Sequence, residues 1–197
     1  AYANDQLRDS ILAACQDPHI NVRIAATCAL AAIICANPLC ANEQVRDVML
    51  KACGDYTQWA HKAALYTLLA LFKANAACAN EEALNAVLKA CQASSWHVRI
   101  TATRLLFELL KANIACLNQQ AYDAVATLCK DPAAEVQTVA NNLLIALAQS
   151  HPTPPVLGTL AKVYKDADVK TQADIFKKIP IGALPSLLTV CKESRTV

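Results

Sequence analysis

Asparagine stands at Asn4, Asn42, Asn80 and Asn118, each 38 residues from the last without a gap. Cysteine keeps the same step at Cys15, Cys53, Cys91 and Cys129, and again at Cys40, Cys78 and Cys116. A period of this length and strictness means stacked copies of one structural unit, because a unit of 20–50 residues cannot bury its apolar face alone. Such chains are built as extended surfaces. The expectation is a curved scaffold that holds a partner, rather than an enclosed catalytic pocket.

The unit is helical. Apolar residues make up 55% of the 197, aromatic residues 5%, and there are only 3 glycines; Ala and Leu dominate, which favours helix over strand. The longest apolar run, Ile24 to Ala36, is interrupted only by Thr27 and has the length of a buried helix. It falls short of the roughly 18 residues that a membrane span requires, so no membrane insertion is expected.

Each copy reads as two helices. The first opens at the asparagine column, whose side chain accepts a bond from the free N–H groups of a first turn. Asp5, Glu43, Glu81 and Gln119 follow it, and the acidic ones suit the positive end of the helix dipole. Its inner stripe is Leu7, Ile11, Ala14 and Cys15, then Val45, Met49, Ala52 and Cys53, then Ala83, Val87, Ala90 and Cys91, then Ala121, Val125, Leu128 and Cys129. That spacing gives one apolar face of a helix. After a short turn, the second helix carries Val22, Ala26, Leu30 and Ile33, with apolar counterparts in every later copy. It is predicted to end near Asn37, Asn75 and Asn113, a residue that tolerates the left-handed closing conformation. A loop of about four residues with the second cysteine column then leads to the next copy.

The turn carries a family resemblance. Asp17-Pro18-His19-Ile20-Asn21-Val22-Arg23-Ile24-Ala25-Ala26 resembles the HEAT-repeat signature D-P-x-x-x-V-R-x-x-A, and Asp131-Pro132 with Val136 and Ala140 repeats it with Gln137 for the arginine. The third copy keeps Val98-Arg99 and Ala102 but has Ala93 for the aspartate; the second keeps Asp55 but has Ala60 and His61. The resemblance implies an all-α, right-handed solenoid of about five stacked hairpins, with second helices lining the concave side. It also implies an Asp–Arg ladder between repeats, incomplete here, which leaves more of the stability to apolar stacking.

The register breaks after residue 150. Residues 1–155 read as four regular repeats, and 156–197 as a divergent last repeat with a C-terminal cap. Ser150-His151-Pro152-Thr153-Pro154-Pro155 stops one helix and starts another, since proline fits a first turn but not an interior. Helices are predicted over 156–165, 169–178 and 183–192, and the lysines of this segment suit a polar cap on an open stack.

Net charge is +2: residues 1–155 carry 11 basic and 12 acidic groups, and 156–197 carry 7 and 4. That is no DNA-binding field, so nucleic acid is not the expected partner. Of the ten cysteines, seven fall in the two 38-residue columns, and no Cys-x-x-Cys occurs. Neighbouring repeats lie about 8–10 Å apart, beyond disulfide reach of about 7 Å. The cysteines therefore read as small buried hydrophobes in a reducing, cytoplasmic compartment. No metal or cofactor is expected. The start, Ala1-Tyr2-Ala3-Asn4, has no initiator methionine and no signal-peptide charge, and is read as the edge of a piece from a longer protein. Cys28 and Cys35, outward on an apolar first copy, suggest that something covers that copy.

By elimination, the outward column of the second helices is Ile24, Cys28, Ala31 and Cys35; then Lys62, Tyr66, Leu69 and Lys73; then Ile100, Arg104, Phe107 and Lys111; then Thr138, Asn142, Ile145 and Gln149. It varies between copies while the inner stripe does not. The partner-binding candidates are Lys62, Tyr66, Leu69, Lys73, Arg104, Phe107, Lys111 and Asn142, among which Tyr, Phe and Arg are types that often dominate binding energy. Trp59 and Trp96 either plug the turn between helices or stand as exposed anchors. The four histidines fall in different repeats, and no phosphate loop or H-E-x-x-H occurs, so an enzyme is not expected. The sequence thus points to a scaffold that binds a protein or peptide. The alternatives are a structural spacer in a larger protein, and a nucleic-acid enzyme similar to the HEAT-like DNA glycosylases.

Overall fold

The computed structural model describes residues 2–53, 58–167, 172–173, 177–179, 185 and 189, with side chains from residue 5 onward apart from residue 58. Its α-helices are α1 (Tyr2–Ala14), α2 (Ile20–Ala36), α3 (Glu43–Ala52), α4 (Gln58–Ala74), α5 (Glu81–Ala90), α6 (Trp96–Ala112), α7 (Gln119–Leu128), α8 (Ala134–Ser150) and α9 (Pro154–Asp166). No strand occurs among the described residues. The period survives folding intact. α2, α4, α6 and α8 start at 20, 58, 96 and 134, always 38 residues apart, and each is 17 residues long.

Asn42, Asn80 and Asn118 act as predicted. Each side chain accepts from the N–H three residues on, at 3.0 Å from Val45, 2.9 Å from Ala83 and 3.0 Å from Ala121; such a cap contributes about 1 kcal/mol. The fourth member of the column, Asn4, lies inside α1, which begins at Tyr2.

The asparagines that close the second helices behave differently from expectation. Asn37, Asn75 and Asn113 have φ of −139°, −143° and −141°, extended rather than left-handed. Each side-chain oxygen accepts from the N–H two residues on and so caps a one-turn 3-10 helix: Pro38–Cys40, Ala76–Cys78 and Ile114–Cys116. The amide groups then reach the previous repeat. Asn75 Nδ2 donates to the Ala41 carbonyl at 2.9 Å and Asn113 Nδ2 to the Ala79 carbonyl at 2.8 Å. At Asn75 and Asn113 one short side chain thus closes its own turn and ties two repeats. The next position in this column is His151, and residues 151–153 form no 3-10 turn; the change of side chain explains why the regular register stops there.

At the turns inside each hairpin, Asp17 and Asp131 accept from the N–H groups of His19 and Ala133. Arg23 and Arg99 each donate to two turn carbonyls, Asp17 and Pro18 in one case and Ala93 and Ser94 in the other. Gln137 takes the arginine's place and donates to the Asp131 carbonyl at 2.6 Å. These bonds lock the first, third and fourth hairpins.

The chain forms two compact units, Ala1–Leu117 and Asn118–Val197. In the first, α1 packs on α2, α3 on α4 and α5 on α6, while α2, α4 and α6 lie side by side in that order. Thr67 joins the row by donating to the Thr27 carbonyl of α2 at 3.0 Å. The predicted inner stripe is buried where repeats have neighbours: Ala60, Ala64, Leu68 and Leu71 on α4, and Val98, Ala102, Leu106 and Leu109 on α6. On the first copy it is buried only in part, at Cys15, Ala26 and Leu30. Leu7 is 51% exposed and Val22 39%, and Ile34 rather than Ile33 is fully buried. In the second unit α7, α8 and α9 pack on one another. α9 opens on Pro154, as the prolines predict. The expected helices at 169–178 and 183–192 lie largely outside the described residues, as does the Asp55-Tyr56 turn.

Candidate functional site

Seven of the eight candidates come together on the outer face of α4 and α6 in the first unit. α4 carries Lys62, Tyr66, Leu69 and Lys73 at helical spacing, and α6, packed alongside, carries Arg104, Phe107 and Lys111. Tyr66 is 42% exposed; Lys73, Arg104 and Lys111 are exposed, and Lys62, Leu69 and Phe107 half-buried. Lys62 Nζ lies 5.8 Å from the Tyr66 ring centre and 5.9 Å from that of Trp59. Lys111 Nζ lies 6.0 Å from the Phe107 ring. These distances are at the edge of cation–π range, where exposed pairs contribute about 0.5–1 kcal/mol. Glu108, its side chain 18% exposed, bridges the two helices: its carboxylate is 3.9 Å from Lys73 Nζ and 3.7 Å from Lys111 Nζ.

Trp59 belongs to this face and is 70% exposed. It stands out from the helix rather than packing into the fold. Its spacing of three residues from Lys62 and seven from Tyr66 puts it on the same stripe, a signal present in the sequence. Trp96 is also exposed and stacks on His97 with ring centres 3.7 Å apart.

The eighth candidate, Asn142, is on α8 in the second unit, where Thr138, Asn142 and Gln149 of the expected outward column are exposed and Ile145 is not. Asn142 Oδ1 accepts from Lys178 Nζ at 3.1 Å, while Gln149 Nε2 donates to the Lys178 carbonyl at 2.6 Å. Ile145 sits one turn from each and is buried at 5% exposure. Residue 178 thus bonds to α8 at both Asn142 and Gln149, and Ile145 between them belongs to the core.

A cleft of about 280 Å³ in the second unit is lined by Cys129, Lys130, Gln137, Asn141, Val163 and Asp166. Lys130 Nζ pairs with Asp166 at 2.6 Å and holds that carboxyl below its ordinary value. Burial pushes the Cys129 thiol up to about 12, against the pull of Lys130, so it is no nucleophile near neutral pH. The same cause raises Cys53 and Cys91 to about 12. Among the described residues, no three His, Cys, Asp or Glu side chains converge as a metal site would need, and no helix is long and apolar enough to cross a membrane.

The nine described cysteines are all free thiols, and only Cys28 and Cys35 are exposed. Maleimide labelling at pH 7, mapped by peptide mass, is therefore expected to modify Cys28 and Cys35 within minutes. Cys40, Cys78, Cys91 and Cys116 should react only after unfolding. Early labelling of these four would contradict the packing described above.

No family model matches the sequence, and no curated protein does. Solved structures do resemble it. An engineered protein aligns with a TM-score of 0.68 at 16% identity, over 93% of this chain and 78% of that one. A designed armadillo repeat protein aligns with a TM-score of 0.62 at 15% identity, over 92% and 87%. Another designed armadillo repeat protein, solved in complex with the peptide (KR)4, gives 0.62 at 16% identity over 90% and 80%. The chain has the fold of an all-helical repeat solenoid.

Proposed function

We propose that this chain is a non-catalytic, HEAT-type binding module that holds an acidic protein segment on the outer face of α4 and α6. One observation carries the proposal. Lys62 lies by the rings of Trp59 and Tyr66 and Lys111 by that of Phe107, Glu108 pairs with Lys73 and Lys111, and Arg104 is exposed on α6 beside Phe107's stripe. Aromatic and arginine side chains supply the anchors of an interface, and the excess of cations selects and steers an acidic partner. The helices beneath are fixed by fully buried leucines, so little ordering entropy is lost on binding. The designed neighbour that carries (KR)4 supports peptide capture by this type of stack, with partner charge opposite to the one proposed here. The free thiols support a reducing compartment such as the cytoplasm.

A random peptide display library panned on the chain is expected to enrich Asp and Glu around a Trp, Phe or Leu. Lys62→Glu with Arg104→Glu is then expected to weaken the selected peptides about 100-fold, at roughly 1.4 kcal/mol for each reversed charge. The melting temperature should stay within about 2 °C, because surface substitutions change stability by about 0.5 kcal/mol or less. Enrichment of neutral or basic peptides, or equal binding by the variant, would overturn the proposal. A chain that enriches nothing would be a structural spacer.

A further inference from the structure

The repeats supply an internal control, because each position can be compared with its mates 38 residues away. Leu7 is 51% exposed, while Val45 and Ala83 in the same column are fully buried. Val22 is exposed against buried Ala60 and Val98, and Ala25 and Ala29 are exposed against buried Ala63 and Thr67 on α4 and buried Thr101 and Leu105 on α6. Ile11 and Ile33 are half-buried against fully buried Met49 and Leu71. What covers these columns in the later repeats is the hairpin before them. Thr67 marks the contact, since its hydroxyl bonds to the Thr27 carbonyl across the α2–α4 interface; its mate on α2 is the open Ala29.

We infer that the face formed by Leu7, Ile11, Val22, Ala25, Ala29 and Ile33 is a stacking interface for one more helical hairpin of the same 38-residue type, its second helix lying along α2 as α2 lies along α4. The face continues an interface already made twice in this unit, between α2 and α4 and between α4 and α6. It has the chemistry of an inside surface. All six side chains are aliphatic, whereas a repeat that ends a stack needs a polar outer face. This interface is separate from the α4–α6 binding face and stands without it.

The test lengthens the chain. A copy of residues 43–80, the hairpin whose α4 already covers α6, is placed directly before Asp5, so that the copied Asn80 replaces Asn4 and the 38-residue step continues. The extended chain is expected to melt at least about 5 °C higher than the parent, and amide exchange across α2 should slow at least about tenfold. Ala29→Glu serves as the control. It should leave the parent's melting temperature nearly unchanged, because position 29 is exposed there, yet abolish the gain in the extended chain. An extension without gain, or a gain that survives Ala29→Glu, would overturn the inference. So would a parent that sediments as a dimer and becomes monomeric with Ala29→Glu, since the occupant would then be a second copy.

Discussion

Leu106→Ala is expected to destabilise the chain by about 2–5 kcal/mol, the range for a leucine removed from a packed core whose surroundings relax only in part. Leu106 is fully buried on α6 among Ala102, Leu105 and Leu109, which are equally buried. Alanine at 102 brings the helices close, so the cavity left at 106 has little freedom to collapse. Val22→Ala is the matched comparison. Val22 belongs to the same predicted stripe but is 39% exposed, and its truncation is expected to cost less than about 1 kcal/mol. Urea unfolding of the two variants beside the parent measures both. In a stack each repeat leans on its neighbours, so amide exchange in Leu106→Ala should accelerate first in α4, α5 and α6. Equal costs for the two variants would mean that the stripe is not the core.

The contrast between Leu106 and Val22 also shows how far sequence reasoning reaches in a repeat protein. Periodicity located every regular hairpin, because a 38-residue step repeats local chemistry as well as packing: the same Asn caps, the same alanine spaces the helices and the same leucine fills the gap. Position in the stack is not written in the period. Leu7 and Val22 carry inner-stripe residues, but burial requires a preceding hairpin, and their exposure follows from neighbours rather than from residue type. The Asn37, Asn75 and Asn113 column was legible as a helix end but not as an inter-repeat tie, since the acceptors, the carbonyls of Ala41 and Ala79, are backbone groups that every residue possesses. On the candidate face, elimination found the lysines, Arg104, Tyr66 and Phe107 because they break the aliphatic pattern. It missed the burial of Ile145, whose helix neighbours Asn142 and Gln149 bond to residue 178, beyond the regular repeats.

Alkaline pH is expected to remove about 5 kcal/mol of stability by pH 11 through two buried thiols alone. Cys91 and Cys129 have their pKa raised from 9.0 to about 12, and burial is the largest cause. Burial disfavours the thiolate, so the folded chain keeps these protons while the unfolded chain releases them near pH 9. Their contribution is therefore complete below about pH 9 and is lost as the pH climbs from 9 towards 12. Two pH units above the unfolded value correspond to roughly 2–3 kcal/mol for each thiol. Cys53, which is also raised to about 12 but is only half-buried at its surface, should add less. Lysines and tyrosines titrate in the same window, so the decisive quantity is a difference of slopes. The parent and the Cys91→Ala, Cys129→Ala double variant are unfolded in urea at pH 8, 9, 10 and 11. The variant starts lower, having lost two packed sulfurs, but its curve against pH should be flatter, and the two should converge by about pH 11. Parallel curves would mean that these thiols ionise as easily in the folded chain as in the unfolded one, which the close packing of the cysteine column does not permit.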